Sequence, residues 1–225
     1  MTQISVVRQL VWKDVQLFRT SILGTMAAGG AGLAALLLRR EVVSIVGTIV
    51  FFIALILAGA MLPSASILNE RKKQTLPFIM SLPISPMQYT TAKLVSTLAM
   101  FAIPWLTLTA AALWLILVQG VLRPGTIPVM LILVLFQPLC MCVFTAMTLV
   151  GETEGWNVAA NIICNSSHGM VWLAITLTPS LITHVAEPKP VWNSTVFTAL
   201  GWELALIVLT LAITYFLQSR KRDFI

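Results

Sequence analysis

The sequence predicts an all-α, polytopic membrane protein. It has six transmembrane helices, an N-terminal interfacial helix and a short cytoplasmic helix between spans two and three. Three observations predict it. First, 58% of the 225 residues are apolar and only 10% are charged, with a mean hydropathy of +0.94. A soluble domain carries about 25% charged and 45–50% apolar residues. Second, six apolar runs come near or pass the roughly 20 residues that a bilayer crossing needs. They are 21–38, 42–68, 94–118, 127–150, 158–179 and 196–217. Third, Lys and Arg are unevenly shared between the intervening loops. Little lies outside these runs, so residues 1–225 form one membrane domain with no internal repeat.

Residues 1–20 precede the first run and read as an interfacial helix. Ile4, Val7, Leu10, Val11, Leu17 and Phe18 fall on one face at helical spacing, and Arg8, Gln9, Lys13, Gln16 and Arg19 fall elsewhere. The charges before the first run, and the lack of a clean small-residue cleavage site, argue against a signal peptide. Trp12 and Trp192 suit headgroup level. Asp14 lies within the apolar stripe, where a desolvated carboxylate needs a partner. The expected partner is a basic residue of the Arg71–Lys73 group.

Small residues repeat along the first run: Gly24, Ala28 and Gly32, then Ala27, Ala31 and Ala35. That spacing lets helices approach closely, within one chain or between subunits. Pro63, Pro104 and Pro138 lie inside spans and should bend them, as simple kinks or as hinges. With six spans both termini share a side. If that side is cytoplasmic, ten basic residues lie inside (Arg8, Lys13, Arg19, Arg71, Lys72, Lys73, Lys93, Arg220, Lys221 and Arg222) and four outside (Arg39, Arg40, Arg123 and Lys189). The positive-inside rule selects that orientation. The positive balance is therefore membrane topology rather than nucleic-acid binding. No basic stripe interleaved with aromatics is present.

Catalytic motifs are missing. The chain has no phosphate-cradling G-x-x-x-x-G-K-[ST] loop, no H-E-x-x-H and no G-x-S-x-G. Cys140, Cys142 and Cys164 fall inside spans, and the first two point about 200° apart on a helix. They read as buried thiols, with no metal or cofactor site.

The longest polar break, residues 70–93, runs ERKKQTLPFIMSLPISPMQYTTAK. Thr75 can cap a short helix with Pro77 in its first turn. Leu76, Ile79 and Met80 then form a small apolar face, Leu82-Pro83 ends the helix, and Ser85-Pro86 opens the turn into the next span. A mere connector needs no apolar face, so this one fits docking on a partner or on the membrane surface.

The order Glu70, Thr75-Leu76, Leu82-Pro83-Ile84-Ser85 and Lys93 resembles the ABC-2 type transporter permeases. Their loop between spans two and three runs Glu, Gly-Thr-Leu, Pro-(Val/Ile)-Ser, Lys. Trp12-Lys13-Asp14 before Arg19 is similar to that family's interfacial helix, and Arg220-Lys221-Arg222 is a weaker match. Gln74 stands where the family usually has glycine. The resemblance implies a non-catalytic permease subunit of a bacterial ATP-driven exporter in the plasma (inner) membrane, with both termini cytoplasmic. It would pair with a second copy or paralogue above two separate ATPase subunits. Residues 75–82 would be the coupling helix seated on the ATPase, which supplies the missing phosphate loop. Residues 179–195, with Pro179, Pro188 and Pro190, would form a broken outer segment before the last span.

Two intramembrane features bear on mechanism. Asn157, Asn161, Asn165, His168 and Trp172 share one face of the fifth span, and Glu203 lies inside the sixth. Ionisable groups at such depth are costly and face a cavity or a partner. The set fits a lining of the translocation path, or interhelical hydrogen bonding. As a proton relay, His168 and Glu203 would instead make the chain a proton-coupled secondary transporter. A membrane scaffold that moves nothing is a third class. Glu152 and Glu154 suit the positive N-terminus of the fifth span or basic residues of a partner.

Overall fold

The long apolar runs fold as helices, and the computed structural model describes residues 3–68, 70, 85–151 and 153–220. Every regular element among them is helical. In chain order these are α1 (Gln3–Leu17), α2 (Arg19–Leu36), α3 (Glu41–Pro63) with a π-helical turn (Ser64–Leu68), and α4 (Pro86–Leu117). A 3-10 turn (Pro124–Thr126) follows, then α5 (Ile127–Gly151), α6 (Glu154–Thr176), the single turn α7 (Pro179–Ile182) and α8 (Ser194–Arg220).

Five stretches are long and apolar enough to cross a membrane: Glu41–Leu68, Met87–Leu117, Pro124–Gly151, Glu154–Thr176 and Ser194–Arg220. These mark a membrane-embedded protein. The first expected span, 21–38, does form a helix, but α2 is not among the five. It has 18 residues, about 27 Å at 1.5 Å per residue, and it is rich in glycine and alanine and opens on Arg19. The expected six spans are therefore five on these criteria.

α2 instead leans on α3. The two run antiparallel, with Ile22 in one apolar cluster with Ala58 and Leu62, and Leu33 and Leu36 in another with Phe51 and Leu55. Their backbones touch. A Cβ added to Gly32 would lie 2.6 Å from the Gly47 carbonyl oxygen and 2.8 Å from the Phe51 nitrogen. Gly24, on the same expected ridge, has open space around it. Gly32→Ala is accordingly expected to destabilise by about 1–3 kcal/mol through overpacking. Gly24→Ala should stabilise by up to about 1 kcal/mol through helix propensity. Thermal unfolding of the two variants in one detergent checks this, and similar shifts in both would refute the glycine contact.

α5 is the axis of the bundle: 61% of its spanning stretch is buried, against 11% for α8. Pro138 leaves the carbonyl of Val134, four residues earlier, without its helical donor. The indole Nε1–H of Trp105 on α4 supplies one at 2.8 Å, so the proline is built into the α4–α5 contact. On α8, Phe197, Trp202, Leu204, Val208, Leu209 and Phe216 are exposed. So wide an apolar surface suits lipid and would be an aggregation hazard in water.

α4 begins two turns before the apolar run at 94. Ser85 Oγ accepts from the Gln88 N–H at 3.2 Å and Gln88 Oε1 accepts from the Ser85 N–H at 2.8 Å, a reciprocal cap that starts the helix in polar sequence. α1 packs against α4 and runs into α2 with only Phe18 between them. The Phe18 N–H bonds to the Asp14 carbonyl, and the Ile22 N–H to that of Phe18. Leu17, expected on the apolar face, is 67% exposed. The inward side holds Val15 and Phe18, packed among buried side chains, and Asp14.

Candidate functional site: a buried charge cluster

Asp14 is 2% exposed and Lys93 4%. They meet across 79 residues of sequence: Lys93 Nζ donates to Asp14 Oδ2 at 2.8 Å. Two serines donate to the same carboxylate oxygen. Ser96 Oγ, one turn beyond Lys93 on α4, donates at 3.0 Å, and Ser66 Oγ, from the π-helical turn, donates at 3.2 Å. The ammonium also donates to the Ser66 carbonyl at 3.1 Å. A second carboxylate joins it, with Lys93 Nζ 2.8 Å from Glu70 Oε1. Half-exposed Lys13 bridges both acids, 2.9 Å from Glu70 Oε1 and 3.2 Å from Asp14 Oδ1. Tyr89 donates its hydroxyl to Glu70 Oε2 at 3.1 Å.

Burial alone would raise the Asp14 pKa. The Lys93 charge and hydrogen bond outweigh that, helped by Lys13 and Ser96, and hold it below the ordinary 3.8. Burial would likewise lower the Lys13 pKa, but its hydrogen bond to Glu70 and the Asp14 charge lift it above 10.5. Two basic and two acidic side chains thus share one place, each beside a group of opposite sign.

Lys13, Asp14, Glu70 and Lys93 are thus brought together. The expected Asp14 partner group, Arg71–Lys73, lies outside the described residues, as do Thr75, Leu76, Ile79, Met80, Leu82 and Pro83. Glu70 and Lys93 flank that segment on its two sides, with Ser85 as the cap of α4. Sequence reasoning missed Ser66, Ser96 and Tyr89. The signal was there for two of them: Tyr89 and Ser96 lie one turn either side of Lys93 on one helix face.

The π-helical turn carries a second contact. Ser64, two residues before Ser66, shares its hydroxyl with the Asn157 amide on α6: Asn157 Nδ2 donates to Ser64 Oγ at 3.0 Å. The intramembrane candidates divide here. Asn157 is engaged with α3. Asn161 and Asn165 lie on the open surface of α6, with the Asn165 amide donating to the Asn161 carbonyl at 2.9 Å. His168 turns inward. Its Nδ1 lies 2.7 Å from the Cys164 carbonyl, its Nε2 lies 2.9 Å from Gln137 Oε1 on α5, and the Phe136 ring meets it edge-on at 4.9 Å. Glu203, on α8, is 8% exposed. Among the described residues its Oε2 has no hydrogen-bond partner, and no bond joins it to His168. Cys140, Cys142 and Cys164 are free and buried.

No protein-family model matches the chain, and neither a curated protein nor a solved structure does.

Proposed function

We propose that the chain is the permease subunit of an ATP-driven ABC exporter, forming half of a substrate path and worked by a separate cytoplasmic ATPase. One observation carries this reading. The charged residues of its ABC-2-like pattern, Lys13, Asp14, Glu70 and Lys93, come from three distant stretches and meet at the two feet of segment 71–84. A coupling helix at 75–82, seated on the ATPase, would pull on those feet. The cluster would pass the movement to α1 through Asp14, to α4 through Lys93, and to α3 through Ser66. The Ser64–Asn157 pair would carry it to α6, whose Asn161 and Asn165 face the open side and would line the path with a second permease copy.

In this reading α2 is the sixth span, held by α3 along its length. Both termini and segment 71–84 face the cytoplasm of a bacterial inner membrane. A cysteine at Lys73 is then expected to be labelled only from the cytoplasmic side, and one at Lys189 only from outside. Labelling of both from one side would discard the topology. The function itself is tested by purifying the tagged chain from its native membrane. The expected companion is an ATPase with a phosphate-binding loop, in equal number; its consistent absence would refute the reading. Glu203 favours a second reading, a proton-coupled transporter, because a buried carboxylate oxygen without a hydrogen-bond partner among the described residues suits a proton. Transport in vesicles driven by a pH gradient alone, without ATP, would select it.

A further inference from the structure

A groove of about 720 Å³ opens beside the charge cluster, between α1, the start of α4 and the end of α8. Its volume is within the range of about 300–1,000 Å³ common for ligand pockets. The wall is apolar, formed by Val7 and Val11 of α1, Val95 of α4 and the Tyr215 ring of α8. Val95 and Tyr215 are exposed, so the groove opens onto the same apolar surface as the outer faces of α4 and α8. Among the described residues no acid lines it, and its one charge is Arg8. Arg8 is exposed and has no ion-pair or hydrogen-bond partner among the described residues.

The rest of the rim also offers donors. Ser85 Oγ already accepts from the Gln88 N–H, and Gln88 Oε1 from the Ser85 N–H. What remains is the Ser85 hydroxyl proton and the two Gln88 amide protons. A rim of one guanidinium and spare N–H and O–H groups, above an apolar wall, matches an anionic phosphodiester that carries acyl chains. Basic pockets between transmembrane helices hold such headgroups.

We infer that this groove binds an anionic phospholipid, its phosphate at Arg8 and one acyl chain along Val11, Val95 and Tyr215. The inference rests on the membrane-embedded reading and not on the ATPase. Val11 lies one turn from Asp14, and Val95 lies beside Ser96. A lipid in the groove therefore braces the two helices that the charge cluster joins, and the lipid composition of the leaflet bears on how firmly α1 is held.

The test uses the purified full chain in detergent with phosphatidylglycerol or phosphatidylcholine of the same acyl chains, with retained lipid counted by native mass spectrometry. Wild type is expected to retain phosphatidylglycerol about fivefold more than phosphatidylcholine, the preference one cation gives near an anionic surface. Arg8→Ala should abolish the preference, Arg8→Lys should keep most of it, and Arg19→Ala should leave it unchanged. Val95→Trp, which fills the wall, should lower retention of both lipids. Equal retention of the two by wild type, or wild-type preference in Arg8→Ala, overturns the site. So does unchanged retention in Val95→Trp, which would assign the preference to diffuse positive charge. Absence of retained lipid, with a cysteine at Arg8 cross-linking to segment 71–84, would give the groove to the chain's own loop. An ATPase companion scored in the same preparations is independent of all these outcomes.

Discussion

Lys93→Ala is expected to destabilise the chain by about 3–5 kcal/mol, the cost of leaving a buried charge without its partner. Lys93 answers both Asp14 and Glu70. Its removal leaves the 2%-exposed Asp14 carboxylate with two serines and the outer ammonium of Lys13. Asp14→Ala should cost less, because Lys93 keeps Glu70. The double change Asp14→Leu with Lys93→Met removes both charges and should recover most of the loss, since an apolar pair of similar volume often replaces a buried ion pair at little cost. Unfolding in a fixed detergent, followed by tryptophan fluorescence, checks all three. Strict additivity of the single effects would show that the two residues do not act as a pair.

The same cluster sets a pH window. Asp14 has a lowered pKa in the fold, so its contribution is complete above the unfolded value of 3.8 and fades as pH falls through the lower folded value. Lys13 has a raised pKa, so its contribution is complete below 10.5 and fades as pH rises past the higher folded value. These two contributions should be flat between those limits. In Lys93→Ala the acid limb should move to higher pH, because the largest force holding Asp14 ionised is gone.

The second large effect concerns the engine. Leu76→Asp with Ile79→Asp is expected to abolish ATP-dependent export and to release the ATPase on purification. Burying one apolar side chain of this size in a well-packed contact is worth about 2–5 kcal/mol, and a carboxylate in its place adds a desolvation cost. These residues belong to the polar break and not to a span, so insertion and thermal stability should stay at wild-type values. A double variant that keeps a stoichiometric ATPase and still exports would end the coupling role of 75–82. Normal stability with lost export separates this defect from that of Lys93→Ala.

Much of the fold was legible because lipid demands long apolar runs, and α3, α5 and α8 begin and end within three residues of those runs, counting the π-helical turn with α3. α4 was misjudged at its start. Gln88, Thr91 and Lys93 look like loop when only hydropathy is read, yet the reciprocal Ser85–Gln88 cap makes them helix. Asp14 announced its need for a partner by falling in an apolar stripe. No local pattern could name Lys93, since pairing across 79 residues is decided by how α1 lies on α4. The asparagine spacing on α6 placed Asn157, Asn161 and Asn165 on one face. It could not say that Asn157 is held by α3 while the other two lie open, because that depends on where the end of α3 falls. The glycine ridge showed that α2 approaches something closely, and Gly47 became its partner only through the turn at 37–40 that folds α2 back on α3.

That last contact has a consequence for biogenesis. A segment of 18 residues that begins on Arg19 and is rich in glycine and alanine partitions weakly into lipid by itself. α3 partitions strongly, and Gly32 and Gly47 leave no room between the two. The pair would then leave the ribosome as one hairpin, α2 waiting at the surface until α3 emerges to carry it in. A nascent chain cut before residue 41 should remain extractable by alkali, whereas one extended through residue 68 should resist extraction, with α2 protected from protease.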